Sequence, residues 1–184
     1  MKPEECILFS GAAGGAEAEF GSCAERHGVQ EVNFSFDGHN DARKRGVRVL
    51  TSEELRQGEV SLDYVGKLMG RLYPNTPYFR HVFQTLWHQV NNGQEIYVVG
   101  TILKNGTVKG GTGWGAEFAK LCNKPVFVFD QARGGWHRWN GHEWTDVAEP
   151  VIQHAHFAGT GTRFLEDAGR QAIRELFTRS FGAA

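Results

Sequence analysis

Three glycine clusters carry the clearest chemical potential of this sequence. They are Ser10-Gly11-Ala12-Ala13-Gly14-Gly15, Gly110-Gly111-Thr112-Gly113-Trp114-Gly115 and Ala158-Gly159-Thr160-Gly161-Thr162-Arg163. Each lies between an apolar run and a helix-like segment. Glycine lets the backbone approach a ligand closely, and a helix starting at such a turn aims N–H groups and its positive dipole end at one point. That combination suits a phosphate. Residues around the turns extend the chemistry. Trp114 would stack on a base or ribose face, or pack against a neighbouring element. Asp130 and Gln131 follow an apolar run, where they would meet a ribose hydroxyl and a base edge. Thr160, Thr162 and Arg163 would complete the phosphate contacts. Arg163 at a helix start opposes the dipole unless an anion is nearby.

The elements that must position these turns follow from periodicity. Cys6–Ser10 is a short apolar run and reads as a buried strand. The helix predicted from Ala16 to His27 has Glu17 and Glu19 in its first turn and Gly28 as its stop. Val32–Phe36 alternates as a second strand. The opening is therefore a βαβ pattern. Asp37 to Gly46 reads as a polar loop. Short helices are expected at Ser52-Glu53-Glu54 and from Ser61 to Leu72. Tyr78 to Val90 is amphipathic, with Phe79, Val82, Phe83, Leu86, Trp87 and Val90 in one stripe. Ile96–Val99 is a third strand, ending at Gly100-Thr101. Asn105-Gly106 signals a tight turn. A helix from Ala116 to Cys122 and a strand from Pro125 to Phe129 follow. The run Trp136 to Trp144 reads as a hairpin about Asn140-Gly141, serving as a lid, a dimer contact or a small packed flap. Val151 to Phe157 is the last expected strand, and Phe164, Ala168, Ala172, Ile173 and Leu176 mark the last helix. The fold class predicted is α/β: a Rossmann-like three-layer domain with a mainly parallel sheet flanked by helices, spanning residues 1–184 as one unit.

Composition narrows the function. The 184 residues are 40% apolar and 22% charged, with a net charge of −1. That is an ordinary globular balance, and it gives no basic excess for nucleic acid. Arg43, Lys44, Arg45 and Arg48 form a local cluster that reads as a solvated loop or a basic patch. The three cysteines, Cys6, Cys23 and Cys122, have no metal-ligand spacing and suit small buried positions in a reduced, cytoplasmic protein. The opening residues lack a signal-peptide pattern, and no run reaches membrane-spanning length. The 24 glycines are nearly twice the usual share of roughly 7%.

Known phosphate motifs are absent. There is no GxxxxGK[ST], and Gly110 to Gly113 does not complete GxGxxG. No acid closes a second strand as an NAD site requires, unless Asp37 serves. No GxSxG elbow appears. His137, His142, His154 and His156 cluster in sequence, but no cysteine or carboxylate pair completes a metal set, so no metal is expected.

Ser10 to Glu17 resembles the first-turn motif of the SLOG superfamily, which reads GGAxGAD, and Gly110 to Glu117 resembles its second motif, GGxGTxxE. That superfamily includes the DNA-processing protein DprA and the LOG phosphoribohydrolases. The resemblance spans the first strand to Asp130. Ala12 replaces a motif glycine, Glu17 an aspartate and Trp114 a threonine, and Thr101 to Lys109 is an insertion relative to LOG. The resemblance implies a nucleotide bound across Ser10, Gly11, Gly14, Gly15, Gly110, Gly111, Thr112 and Gly113, with Gly100, Thr101 and Gly161 at neighbouring strand ends. For the LOG branch it implies that Glu117 and Arg80 carry hydrolysis of an N-glycosidic bond. Such a reaction needs a carboxylate for an oxocarbenium-like sugar and a cation for the phosphate. Glu117 otherwise reads as a first-turn acid, and Arg80 as a solvated helix residue. Three functions are therefore expected candidates. One is a binder of a nucleotide or nucleoside derivative that needs no further cofactor. Another is a LOG-like hydrolase of a nucleoside monophosphate. The third is a self-associating protein without a ligand; a homodimer is compatible with all three.

Overall fold

In the computed structural model, which describes residues 1–183, a 3₁₀ turn at Pro3–Glu5 leads into β1, Ile7–Gly11. The remaining elements are α1 (Ala16–His27), β2 (Gln30–Ser35), β3 (Val47–Val49), α2 (Ser52–Arg56), α3 (Glu59–Met69), α4 (Pro77–Asn92), β4 (Glu95–Gly100), α5 (Thr112–Leu121), β5 (Val126–Asp130), β6 (Gly135–Trp139), β7 (Trp144–Val147), β8 (His156–Gly161) and α6 (Asp167–Phe181). One eight-stranded sheet has the order β3-β2-β1-β8-β4-β5-β6-β7. The run from β3 to β5 is parallel. β6 and β7 pair antiparallel and extend the sheet beyond β5, so the Trp-rich segment continues the edge instead of standing off it.

The sheet is covered on both faces, which makes this a Rossmann-like three-layer α/β fold. Side-chain alternation divides its apolar residues between two cores. Leu8, Tyr97, Val99, Phe129 and Phe157 join α1 and α6 through Phe20, Cys23, Ile173 and Phe177. Phe9, Phe34, Ile96, Val98, Val126 and Val128 join α2 to α5 through Leu55, Leu62, Leu86, Trp114 and Phe118. Among the described residues no helix is long and apolar enough to cross a membrane.

Local chemistry sets the boundaries. Gly28 takes the left-handed conformation at φ 75° and closes α1 by donating to Ala24 and Glu25. Thr51 and Glu54 make a reciprocal capping box that starts α2. Pro77 opens α4, where its missing N–H is not needed. Four expectations are corrected. Val151 to Ala155 is not a strand: the Ile152 N–H bonds Ser180 Oγ, and those of Gln153 and His154 bond the Glu95 carboxylate, so side chains replace the ladder. Ala158 to Gly161 belongs to β8, leaving Thr162 onward as the turn. α5 begins at Thr112, four residues early, because Gly113 and Gly115 are themselves helical: a Cβ on Gly113 would strike the Val108 carbonyl. Phe164 lies outside α6 and is 71% exposed.

The basic cluster is largely paired. Arg43 and Arg45 both hold the buried Glu31, at 2.7 and 2.8 Å, and Arg48 pairs with Glu54 at 2.7 Å. Cys6 and Cys23 are buried, whereas Cys122 is exposed at the end of α5.

Candidate functional site

β1 sends the chain through α1 to β2 on one side, and β4 sends it through α5 to β5 on the other. Connections that diverge in this way leave a crevice at the carboxyl ends of the strands. A cleft of about 620 Å³ lies at these strand ends, within the usual range of roughly 300–1,000 Å³ for ligand sites. One side is backbone-rich: Ala13 and Gly14 after β1, Gly100 and Thr101 at the end of β4, Lys109 to Thr112 at the start of α5, and Gly161 to Phe164 at the end of β8. The other side is α4, with Tyr78, Phe79, Val82, Phe83 and Leu86.

The turns are fixed to one another. Gly15 has φ 87°, and a Cβ there would run into the Arg163 backbone. The Ala16 N–H donates to the Thr162 carbonyl at 3.0 Å, and the Thr162 N–H donates to Val99 at 2.9 Å. The last turn therefore bridges the start of α1 and the end of β4. Gln131 holds it from the third side: its amide donates to the Phe164 carbonyl at 3.2 Å, and its oxygen accepts from Glu166 N–H at 2.9 Å.

At the floor lies Glu17, only 7% exposed. Its Oε1 accepts from Thr160 Oγ1 at 3.0 Å and Gln89 Nε2 at 3.1 Å, and its Oε2 accepts from Ala13 N–H at 3.2 Å. Gly11 is required because any Cβ would overlap the Glu17 carboxylate and the Gln89 amide. Burial pushes the Glu17 carboxyl above its ordinary value, against the three hydrogen bonds that favour its charge. Lys109 and Arg163 are exposed cations at the mouth, opposite the aromatic wall.

Of the residues singled out from sequence, Gly14, Gly100, Thr101, Gly110, Gly111, Thr112, Gln131, Gly161, Thr162 and Arg163 line this cleft. Gly11, Gly15 and Thr160 support it from behind. Ser10 is fully buried and its hydroxyl donates to the Gly159 carbonyl, tying β1 to β8. Trp114 does not reach the cleft. It is 5% exposed, its Nε1 donates to the Leu62 carbonyl at 3.1 Å, and its ring backs the cleft residue Phe83 at 4.6 Å. Gly113 lies inside α5, against Val108. Asp130 is fully buried and accepts from Ala132 N–H at 3.0 Å, shaping the β5–β6 turn. Glu117 is in mid-helix, not in the first turn. It pairs with Lys120 at 2.7 Å, and Lys120 lies over the rings of Trp139 and Trp144. Arg80 lies on a separate, smaller groove, paired with Glu59 and over the ring of Tyr73. Neither residue lines the cleft.

Sequence reasoning missed Glu17 as a floor residue, as well as Gln89, His39, Tyr78 and Lys109. Gln89 carried a signal: it adjoins Leu86 and Val90 in the apolar stripe of α4, where a polar side chain requires a buried partner. Comparison with protein-family models, with curated proteins and with solved structures finds no match to this chain.

Proposed function

We propose that the cleft binds a phosphate-bearing nucleotide or nucleoside derivative, as the SLOG resemblance implies. One observation carries this reading. Backbone turns and the cations Lys109 and Arg163 converge at the point where the β1 and β4 connections diverge, facing an aromatic wall from α4. Amides and cations suit phosphate oxygens, and Tyr78 and Phe79, 42% and 51% exposed, suit a base face. The raised Glu17 carboxyl reduces the negative charge that an anionic ligand meets at the floor. The glycosidic hydrolysis implied for Glu117 and Arg80 draws no support from their positions.

The test is a thermal-shift screen against nucleoside mono-, di- and triphosphates, NAD and ADP-ribose. A ligand at about 100 times its Kd adds roughly 2.7 kcal/mol. At this chain length that moves the midpoint by about 5–10 °C. Arg163→Ala with Lys109→Ala should abolish the shift without lowering the ligand-free midpoint. No shift with any ligand refutes the reading.

A further inference from the structure

We propose that the cleft hydrolyses a phosphate ester or anhydride of the ligand it holds, with His39 as the general base. The proposal rests on the nucleotide-binding reading above. After β2 the chain turns at Gly38, φ 83°, and places His39 in the cleft lining. His39 Nδ1 lies 2.6 Å from Asp41 Oδ1, and the same oxygen accepts from Ser35 Oγ at 2.7 Å. Ser35 is fully buried at the end of β2, so the carboxylate is anchored to the sheet. The imidazole packs on Phe36 at 4.7 Å and on Tyr78 at 6.3 Å. Its side chain is 5% exposed. The Ala42 and Arg43 amides both donate to the Ala12 carbonyl, at 2.7 and 3.1 Å, which stitches this loop to the first glycine turn.

A carboxylate on Nδ1 keeps the ring proton there and leaves the Nε2 lone pair free. Among the described residues Nε2 has no hydrogen-bond partner, yet it is not sealed from solvent. The fold makes no use of it. A nearly buried imidazole in the cleft lining, oriented by an anchored carboxylate and unpartnered at Nε2, has the geometry of a base.

The reaction balances with water alone. Nε2 takes a proton from water as the water oxygen forms a bond to phosphorus. The bond from phosphorus to the bridging oxygen breaks, and its electron pair stays on that leaving oxygen. The leaving oxygen then takes the proton from the imidazolium, which Asp41 has stabilised. Asp41 is thus a positioning residue and His39 a catalytic one. The other charged or titratable groups around the cleft are Glu17 on α1, Tyr78 on α4, and Lys109, Arg163 and Glu166 across the opening.

The experiment incubates the full chain with ATP, ADP, AMP and ADP-ribose, separates the products and measures orthophosphate. Cleavage at phosphorus of a nucleotide that also gives a thermal shift is expected. His39→Asn should lower kcat by about 10²–10⁴-fold while keeping that shift. Asp41→Asn should lower kcat and leave KM unchanged. A nucleotide that stabilises the protein but is not cleaved overturns the proposal. So does release of the free base, or wild-type turnover by a folded His39→Asn. If no nucleotide of the thermal-shift panel binds, the nucleotide reading fails and the hydrolysis falls with it.

Discussion

Replacing Glu17 by Gln and by Leu separates the two roles of the cleft floor. The carboxylate accepts from Thr160, Gln89 and Ala13 N–H. Glu17→Leu leaves all three donors without an acceptor, and each orphaned buried donor costs about 1–3 kcal/mol, so the loss should be about 3 kcal/mol or more. Glu17→Gln keeps a carbonyl for Thr160 and Gln89 and turns an NH₂ toward Ala13 N–H, losing one bond, about 1 kcal/mol. The two variants should also differ from wild type in pH dependence. The folded-state value of Glu17 lies above its ordinary 4.5 because burial disfavours the charge. Between 4.5 and the raised value the folded protein holds a proton that the unfolded chain has released, so this group's contribution to stability falls as pH rises through that window. Gln cannot ionise. Urea unfolding should therefore give Glu17→Gln a deficit of about 1 kcal/mol near the acidic end, shrinking or reversing toward pH 8. Contributions from groups that do not interact with Glu17 cancel in the difference. Equal losses for Gln and Leu, or a pH-independent difference between wild type and Gln, would refute the account of a buried, proton-holding floor.

Glu19, two residues further along α1, should behave oppositely. Burial opposes its ionisation, but hydrogen bonds from Arg174 and Arg170 outweigh that and hold its carboxyl below the usual range. Its contribution is present above 4.5 and lost as pH falls through the folded value, so Glu19→Gln should flatten acid unfolding measured by circular dichroism. Trp114→Phe should cost about 1–3 kcal/mol through lost packing and the lost indole bond to the Leu62 carbonyl, while leaving any ligand-induced thermal shift intact; loss of the shift alone would mean that the ring contacts ligand. Gly15→Ala should cost at least about 1–3 kcal/mol from the left-handed backbone alone, more from overlap with Arg163, read as a fall in the melting midpoint.

The layered architecture was legible because each buried strand is a short apolar run next to a glycine turn, as at Ile7–Gly11 and Val126–Asp130. β8 was misplaced for the same reason in reverse. Val151 and Ile152 look strand-like, but their neighbours' amides are taken by Glu95, a residue 58 positions from Gln153. No local pattern encodes that. Part of the site was visible as glycine, since close approach needs glycine whatever approaches. The rest was hidden because its meaning lies in pairing. Glu17 reads as a helix-start acid until Gln89 and Thr160 are seen to converge on it. His39 and Asp41 sit in a loop whose composition suggests only solvation. Trp114 misled because an aromatic in a glycine turn reads as a stacking platform, whereas α5 starts early enough to rotate it into the core.

β8 follows every other strand in the sequence yet lies between β1 and β4 near the middle of the sheet. The strands on either side of it, β3-β2-β1 and β4-β5-β6-β7, share no ladder without it. As the chain leaves the ribosome, both groups must wait with facing edges open until residues 156–161 arrive to zip them together. Such long-range closure is slow, and unpaired edges invite neighbours of the same kind. A chain stopped at Ala155 should therefore aggregate as two half-sheets instead of folding in part. The late strand also assembles the cleft, since the bridge from Thr162 to Ala16 and Val99 cannot form before it. Folding and binding competence should consequently appear in a single step.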